Sequence, residues 1–284
     1  MTPPPWTIVR AAVEAALAED LGLAGDLTSA ACVPADARIA ATIAARKPGA
    51  IAGLDVAATA FRLVDPQTDF ISKTADGARA GAGDALARVS GAARSILAAE
   101  RVALNFLGHL SGVATATGAL VDAVSGTSAK IVCTRKTTPG LRALEKYAVR
   151  CGGGANHRYG LFDAVMIKDN HIAAVGDVAR AVASARAATG HLVKIEVEVD
   201  RLDQLEPAID AGADGVLLDN MTLSDLRAAV RTAAGRVVLE ASGNVTVETA
   251  RAIAETGVDV ISSGWITHSA PTLDVGLDVD PGGP

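Results

Sequence analysis

The amino-acid sequence predicts an α/β protein, a small mixed α+β unit followed by a parallel sheet or barrel, and three observations lead there. Half of the 284 residues are apolar but only 3% are aromatic, so the core is built from Ala, Val, Leu and Ile, as suits helices packed closely on parallel strands. From Lys130 onward six short apolar runs, "KIVCT", "AVMIK", "VKIEVEV", "GVLLD", "RVVLE" and "VDVISSG", alternate with helical stretches, the rhythm of a parallel sheet. Glu198, Asp219 and Glu240 each end such a run at intervals of 21 residues and Gly264 follows 24 later, the length of one βα unit. The chain is long enough for two modest domains or for one large barrel with additions.

Residues 7–22 carry apolar residues at helical spacing and stop at Gly22, after which Asp26 opens a turn. "ARIAATIAARKPGAIAG" alternates as a strand up to its Pro-Gly, and "LDVAATAFRLVD" returns to the helical period. "DFISKT" and "DALARVSG" then read as short strands, so the first ninety or so residues form the mixed unit. Residues 92–125 are rich in Ala, Leu and Val and are predicted as two helices broken near Ser111-Gly112. Along them Arg101, Asn105 and His109 recur every four residues, one polar line on otherwise apolar helices. The helical partners of the later strands are "HIAAVGDVARAVASARAAT", "RLDQLEPAIDAG", "LSDLRAAVRTAA" and "TVETARAIAETG", with a seventh strand expected near "ITHS".

The formal net charge is −6 and the pI about 5.4, which argues against nucleic acid or an anionic membrane as partner, since both reward a broad positive surface. Against that background, residues 134–171 hold seven Lys/Arg and three acids, a local +4. Such a stretch is either a solvated face or a site for something strongly anionic. Cys32, Cys133 and Cys151 are odd in number and lack a C-x-x-C pair, so neither a disulfide framework nor a zinc site is expected and a cytoplasmic setting is. The start "MTPPPWTIVR" has no apolar signal core, and no run reaches the 18 uninterrupted apolar residues of a membrane span.

In βα barrels the C-terminal ends of the strands converge on one mouth, where active sites sit. Arg135, Lys136, Lys168, Glu198, Asp219, Glu240 and Gly264 would share that rim. A carboxylate ending a strand is also a common N-cap, but three in register favour a site. "EASGN" places Ser242, Gly243 and Asn244, and "SSGW" places Ser263, Gly264 and Trp265, where backbone N–H groups bind phosphate. "GGGANHR" (152–158) is a flexible loop able to approach a ligand, ending in His157 and Arg158. Several Arg and Lys select a small polyanion, and Glu198 and Asp219 opposite them suit ribose hydroxyls or Mg²⁺ held through water. Arg142 fits either the site or the surface, and Lys146 is expected on the surface.

"ERVALNFLGHLSGVAT", "TRKTTPGLRALEKYAV", "GGGANHRYGLFDAVMIKDNH", "EVEVDRLDQL", "LLDN", "LEASGN" and "GWITHS" stand in this order. On them the chain resembles quinolinate phosphoribosyltransferase, also called carboxylating nicotinate-nucleotide diphosphorylase, densely from Glu100 to Ser269 and more weakly before it. The resemblance implies an N-terminal α/β sandwich (1–112) and an incomplete, seven-stranded parallel α/β barrel (113–284), with the C-terminal tail returning to the first domain. It implies transfer of phosphoribose from phosphoribosyl diphosphate to quinolinate, with loss of diphosphate and CO₂, giving nicotinate mononucleotide for NAD synthesis. Mg²⁺ accompanies the diphosphate, and the sites are shared across a homodimer, with a hexamer as the larger alternative.

By the same resemblance, Arg101 reaches the partner subunit's site. Thr134, Arg135, Lys136, His157, Arg158 and Lys168 surround the quinolinate carboxylates and the diphosphate. Glu198 and Asp219 face ribose and metal, and Ser242, Gly243, Asn244, Ser263, Gly264 and Trp265 cradle a phosphate near His268. Lys136, Glu198 and Asp219 are the implied catalytic residues.

Trp265 stands where the family usually has a small residue, Ser263 where it has an apolar one, and Cys133 where an acid is common. Rival readings are a related phosphoribosyltransferase acting on a monocarboxylate such as nicotinate, a Schiff-base lyase using Lys168, and a non-enzymatic anion-binding module. Four cationic or imidazole groups, Arg135, His157, Arg158 and Lys168, suit a dicarboxylate better than a monocarboxylate. Charge around Lys168 disfavours the desolvated amine that a Schiff base needs, and an anion-binding module has no use for Glu198 and Asp219.

Overall fold

A computed structural model of the chain describes residues 2–280. The chain forms two compact units, one running up to Gly118 and including Thr137–Gly153 and the segment from Thr267 on, the other comprising Ala119–Lys136 and Gly154–Ile266.

The first unit is built on an antiparallel sheet. Its strands β1 (Arg38–Ala45), β2 (Gly49–Ala50), β3 (Asp69–Ser72), β4 (Arg79–Ala80) and β5 (Ala85–Ala92) follow the helix Trp6–Leu21, and the helix Leu54–Val64 lies between β2 and β3. β1 is central, flanked by β5 and by the C-terminal strand Val275–Val279, with β3 beyond β5 and β2 paired to β4 alone. The C-terminal strand is fastened by a two-pronged pair, Arg46 Nη1 and Nη2 donating to the Asp278 carboxylate at 2.9 and 2.6 Å. Gly276 leaves room for that guanidinium, since a Cβ there would stand 2.4 Å from Arg46 Nη2.

Two expectations for this unit are overturned. Residues 93–123 form one unbroken helix, Ala93–Ala123, and Ser111 and Gly112 serve packing rather than a break. Ser111 Oγ accepts the Ala52 N–H at 3.0 Å and donates to the Ala52 carbonyl at 3.2 Å, while a Cβ on Gly112 would stand 2.2 Å from the Pro271 carbonyl oxygen. This helix is long and apolar enough to cross a membrane by length and composition, yet 67% of its apolar window is buried inside the protein. Lys146, expected at the surface, is fully buried, because every side chain of residues 144–149 in the helix Arg142–Cys151 is buried. Its neighbour Glu145 accepts the Thr138 N–H at 3.1 Å and meets His109 Nε2 at 2.9 Å.

The second unit is a parallel sheet of the six predicted apolar runs: β6 (Lys130–Val132), β7 (Val165–Ile167), β8 (Ile195–Val199), β9 (Gly215–Asp219), β10 (Val238–Ser242) and β11 (Val260–Ser262). Their order is β6-β11-β10-β9-β8-β7. The predicted seventh strand at "ITHS" is instead the short helix Trp265–His268. A seventh position is marked beside β6 by Ala155, whose N–H donates to Ile131 O at 2.8 Å and whose carbonyl accepts from Cys133 N at 3.3 Å in a parallel bridge. The predicted single helix after β7 is two, Asp169–Val175 and Val178–Ala188. Gly176 at φ 91° ends the first and the Asp177 side chain caps the second through Arg180 N–H. Thr222 and Thr246 cap the helices Leu223–Ala233 and Val247–Ala254 in the same way.

Candidate active site

Register decides which side chains of the second unit meet. In parallel neighbours, partnered residues face the same side, and successive residues alternate. On β8 Ile195, Val197 and Val199 are buried on one face, so Glu196 and Glu198 share the other. Glu196 is level with Met166 and Gly215, Glu198 with Leu217, Leu217 with Glu240, and Asp219 with Ser242, which is level with Ser262. One face therefore carries an ascending series: Glu196, then Glu198 and Glu240, then Asp219, Ser242 and Ser262. Glu240 does not end its strand, as the run length suggested. It lies two residues before Ser242 and is only 4% exposed.

At the upper end, Lys168 follows β7 and forms an ion pair with Glu198. Asp219 Oδ2 accepts Asn220 Nδ2 at 2.9 Å, Asn220 N–H donates to Ser242 O at 2.9 Å, and Asn244 Nδ2 donates to Asn220 Oδ1 at 3.2 Å. Asn220, Gly243 and Asn244 all have positive φ, and a Cβ on Gly243 would stand 2.1 Å from Asn220 Oδ1. The expected loop Ser242-Gly243-Asn244 is thus interlocked with a residue that sequence reasoning missed. Its signal was present as an Asn directly after the strand, a residue type that tolerates the left-handed region.

Ser263 is buried and extends the sheet by donating its N–H to Val132 O at 3.0 Å, Gly264 is half-buried, and Trp265 is exposed. After β6, Thr134 Oγ1 accepts the Lys136 N–H at 3.0 Å, leaving Arg135 half-buried and Lys136 exposed. Cys133 is buried, its Sγ 3.4 Å from Asn156 Oδ1. The predicted ligand-approaching glycine loop divides its work. Gly152 faces the protein itself, since a Cβ there would stand 2.3 Å from the Ala114 carbonyl oxygen, while Ala155 enters the sheet and His157 and Arg158 follow.

Arg158 lies in a turn that braces itself. Asp163 accepts the N–H groups of Tyr159 and Gly160 at 2.7 and 2.9 Å, and Arg158 Nη1 donates to Ala164 O at 3.1 Å. Burial works against the charged form of Asp163, but these N–H groups and the Arg158 charge hold its carboxyl below the usual range. The Arg158 guanidinium has the reverse problem. Burial, and then the neighbouring Arg135, push its proton affinity down, and its Nε is buried with no hydrogen-bond partner among the described residues.

Beneath these cations lies a cluster that the sequence did not reveal. His157 Nδ1 accepts the Arg158 N–H at 2.8 Å, and Nε2 meets Glu196 Oε2 at 2.8 Å with Glu240 Oε2 at 3.7 Å. Burial, and next the Glu196 charge, push the Glu240 carboxyl up to about 7, although His157 and the Ser262 hydroxyl oppose the shift. Glu240 Oε1 and Ser262 Oγ nevertheless lack partners in hydrogen-bonding geometry among the described residues. The three ligand atoms lie within 4.8 Å of one another, a spacing a metal ion could use. The hydrogen bond already made by Nε2 and the nearby Arg158 cation suit a proton-linked cluster better.

Arg101 and His268 belong to the first unit. Arg101 is exposed on the helix Ala93–Ala123 and pairs with nothing among the described residues. His268 is exposed with Nδ1 2.5 Å from Ser269 Oγ. The rim of the second unit thus carries two close guanidiniums and, at neighbouring strand ends, the carboxylates of Glu198 and Asp219, with a loop of interlocked residues after β10. It is equipped to hold a small polyanion and to stabilise positive charge developing on it.

Two family models match the chain: "Quinolinate phosphoribosyl transferase, N-terminal domain" over residues 26–111 and "Quinolinate phosphoribosyl transferase, C-terminal domain" over residues 113–278. A Mycobacterium leprae protein named nicotinate-nucleotide pyrophosphorylase [carboxylating] is 47% identical over 275 residues, covering 95% of this chain and 96% of that one. A Bacillus subtilis protein with the same name marked probable is 44% identical over 261 residues, covering 92% and 90%. The solved structure of the nicotinate-nucleotide pyrophosphorylase from Francisella tularensis superposes with a TM-score of 0.93 at 42% identity, covering 97% of each chain. With both halves matched and relatives aligned along nearly its whole length, the chain belongs to the quinolinate phosphoribosyltransferase family.

Proposed function

We propose that the protein transfers phosphoribose from phosphoribosyl diphosphate to the ring nitrogen of quinolinate and releases diphosphate and CO₂, giving nicotinate mononucleotide for NAD synthesis. The observation that carries this reading is Arg158, buried at Nε without a partner among the described residues and set beside Arg135. A guanidinium in that position is stabilised by an anion, and two of them match two carboxylates on adjacent ring carbons.

In this reading Arg135, Arg158 and Lys168 hold the base carboxylates, and Lys136 and the Ser242-Gly243-Asn244 backbone take phosphate oxygens. When the bond from ribose C1 to diphosphate breaks, positive charge builds on the sugar, and Glu198 and Asp219 stabilise it from adjacent strands. The ring nitrogen then closes the new bond and becomes cationic, and the electron pair left on the ring carbon by departing CO₂ is stabilised by that charge until it takes a proton from water. No protein nucleophile is required. Bound with the diphosphate, Mg²⁺ would neutralise charge on the leaving group, and Glu198 and Asp219 are hard oxygen donors suited to hold it, directly or through water.

The proposal extends to a cytoplasmic homodimer, or a hexamer of such dimers, in which the partner subunit's Arg101 completes each site. The test is incubation of the purified protein with quinolinate, phosphoribosyl diphosphate and Mg²⁺, scoring CO₂ and nicotinate mononucleotide. Turnover of nicotinate with none of quinolinate would overturn the reading.

A further inference from the structure

Glu196 is one layer below Glu198 and makes a contact with a direction. His157 Nδ1 is already an acceptor for the Arg158 N–H, so a neutral imidazole carries its proton on Nε2, where Glu196 Oε2 receives it at 2.8 Å. Both ring nitrogens are engaged, and the same two bonds that fix the ring also fix the backbone N–H of Arg158. Arg158 needs fixing. It is pushed by Arg135 and, among the described residues, its guanidinium makes a single hydrogen bond, to Ala164 O. Glu196 also acts on Arg158 directly, its charge favouring the guanidinium cation. Buried Glu240 stands farther from the same nitrogen, 3.7 Å from His157 Nε2, so Glu196 is the nearer acceptor.

We propose that Glu196 is a positioning residue for the base: through His157 it sets the orientation of Arg158, and with it the affinity for a carboxylate-bearing ring. The inference rests on the quinolinate reading above and adds a residue to it. Simple electrostatics predicts the opposite sign. A carboxylate near a dianion repels it, so if Glu196 acted only by its charge, removing it would tighten binding.

The experiment measures KM for quinolinate and for phosphoribosyl diphosphate separately, with kcat, in the wild type, Glu196→Ala and Glu196→Gln. Positioning predicts that Glu196→Ala raises KM for quinolinate by about tenfold and leaves KM for phosphoribosyl diphosphate within about twofold. Glu196→Gln, which keeps an acceptor for the Nε2 proton, should recover most of the loss. Nitrogen chemical shifts of His157 add a readout free of turnover: the wild type should show the Nε2–H tautomer with Nδ1 as acceptor, and the ring shifts should move in Glu196→Ala, as Nε2 loses its acceptor, and stay near the wild-type values in Glu196→Gln. A lower or unchanged KM for quinolinate in Glu196→Ala overturns the proposal, as does an equal rise for both substrates. If the wild type itself does not turn over quinolinate, the functional reading fails and this inference falls with it. An active wild type with the wrong variant pattern removes the inference alone.

Discussion

Arg158 is held in the folded state at a cost. Burial and the Arg135 charge both oppose its cation, and Nε finds no partner among the described residues, so the native state would be as stable or more so with an apolar side chain of similar length. Arg158→Met is therefore expected to keep or raise the thermal midpoint while KM for quinolinate rises by about tenfold or more, the loss of a charge-assisted fork. A calorimetric scan beside initial-rate kinetics checks both halves, and a sharp fall in the midpoint would contradict the assignment. Charge in the sequence did not separate Arg158 from Lys146, since both stand in the same basic stretch. Their difference is tertiary. Lys146 is on a helix buried through residues 144–149, where the usual one-sided pattern of exposure does not hold. Glu145 beside it is legible only with its partners, His109 and the Thr138 N–H, which are distant in sequence or in a loop.

Elements fail or hold at their fastenings. Gly112 is mid-helix, where replacing Gly by Ala normally stabilises by about 1 kcal/mol. Here the added methyl would meet the Pro271 carbonyl oxygen at 2.2 Å, so Gly112→Ala is expected to destabilise, by about 1 to 3 kcal/mol, as overpacking does. A urea midpoint at or above that of the wild type would refute it. Strands β8 and β9 are joined at their lower ends by Asp214, which accepts Ile195 N–H at 2.9 Å, Lys194 Nζ at 2.8 Å and Arg186 Nη2 at 2.6 Å. Burial works against its charge, but these donors bring the carboxyl down to about 2. A carboxyl whose pKa is depressed on folding stabilises the native state above its unfolded pKa of about 3.9, and that stability is lost as pH falls towards 2. Asp214→Asn should cost about 1 to 2 kcal/mol at pH 7, allowing for solvent screening of the exposed Lys194, with the gap to wild type closing below pH 4. Urea unfolding at pH 7, 5 and 3 measures it, and a gap constant with pH would disprove the linkage. At this scale the sequence named all six strands of the second unit. It misjudged helices in both directions, expecting a break at Ser111-Gly112, where these residues pack against other segments, and none at Gly176, which ends a helix.

For the molecule as a whole, the decisive prediction concerns Arg101, exposed and without a partner among the described residues. If each site borrows the partner subunit's Arg101, then Arg101→Ala and Lys136→Ala should each be inactive alone, while a 1:1 mixture refolded together regains up to about a quarter of wild-type activity, about half of its dimers being heterodimers with one of two sites intact. Mixing and refolding that restores nothing would sink the shared site. The sequence by itself determined the six strands of the parallel sheet, the strand-end positions of Lys168, Glu198 and Asp219, and the basic stretch 134–171. These follow from periodicity and run length, which are local. Only the tertiary structure decided that Glu196 and Glu240 meet His157, that Asn220 locks Gly243, and that Ala155 rather than "ITHS" marks the seventh position. Alternation along a strand tells which residues share a face. Which of them touch across it depends on the register between strands and on where loops re-enter the sheet, and both are set by packing between residues far apart in the chain.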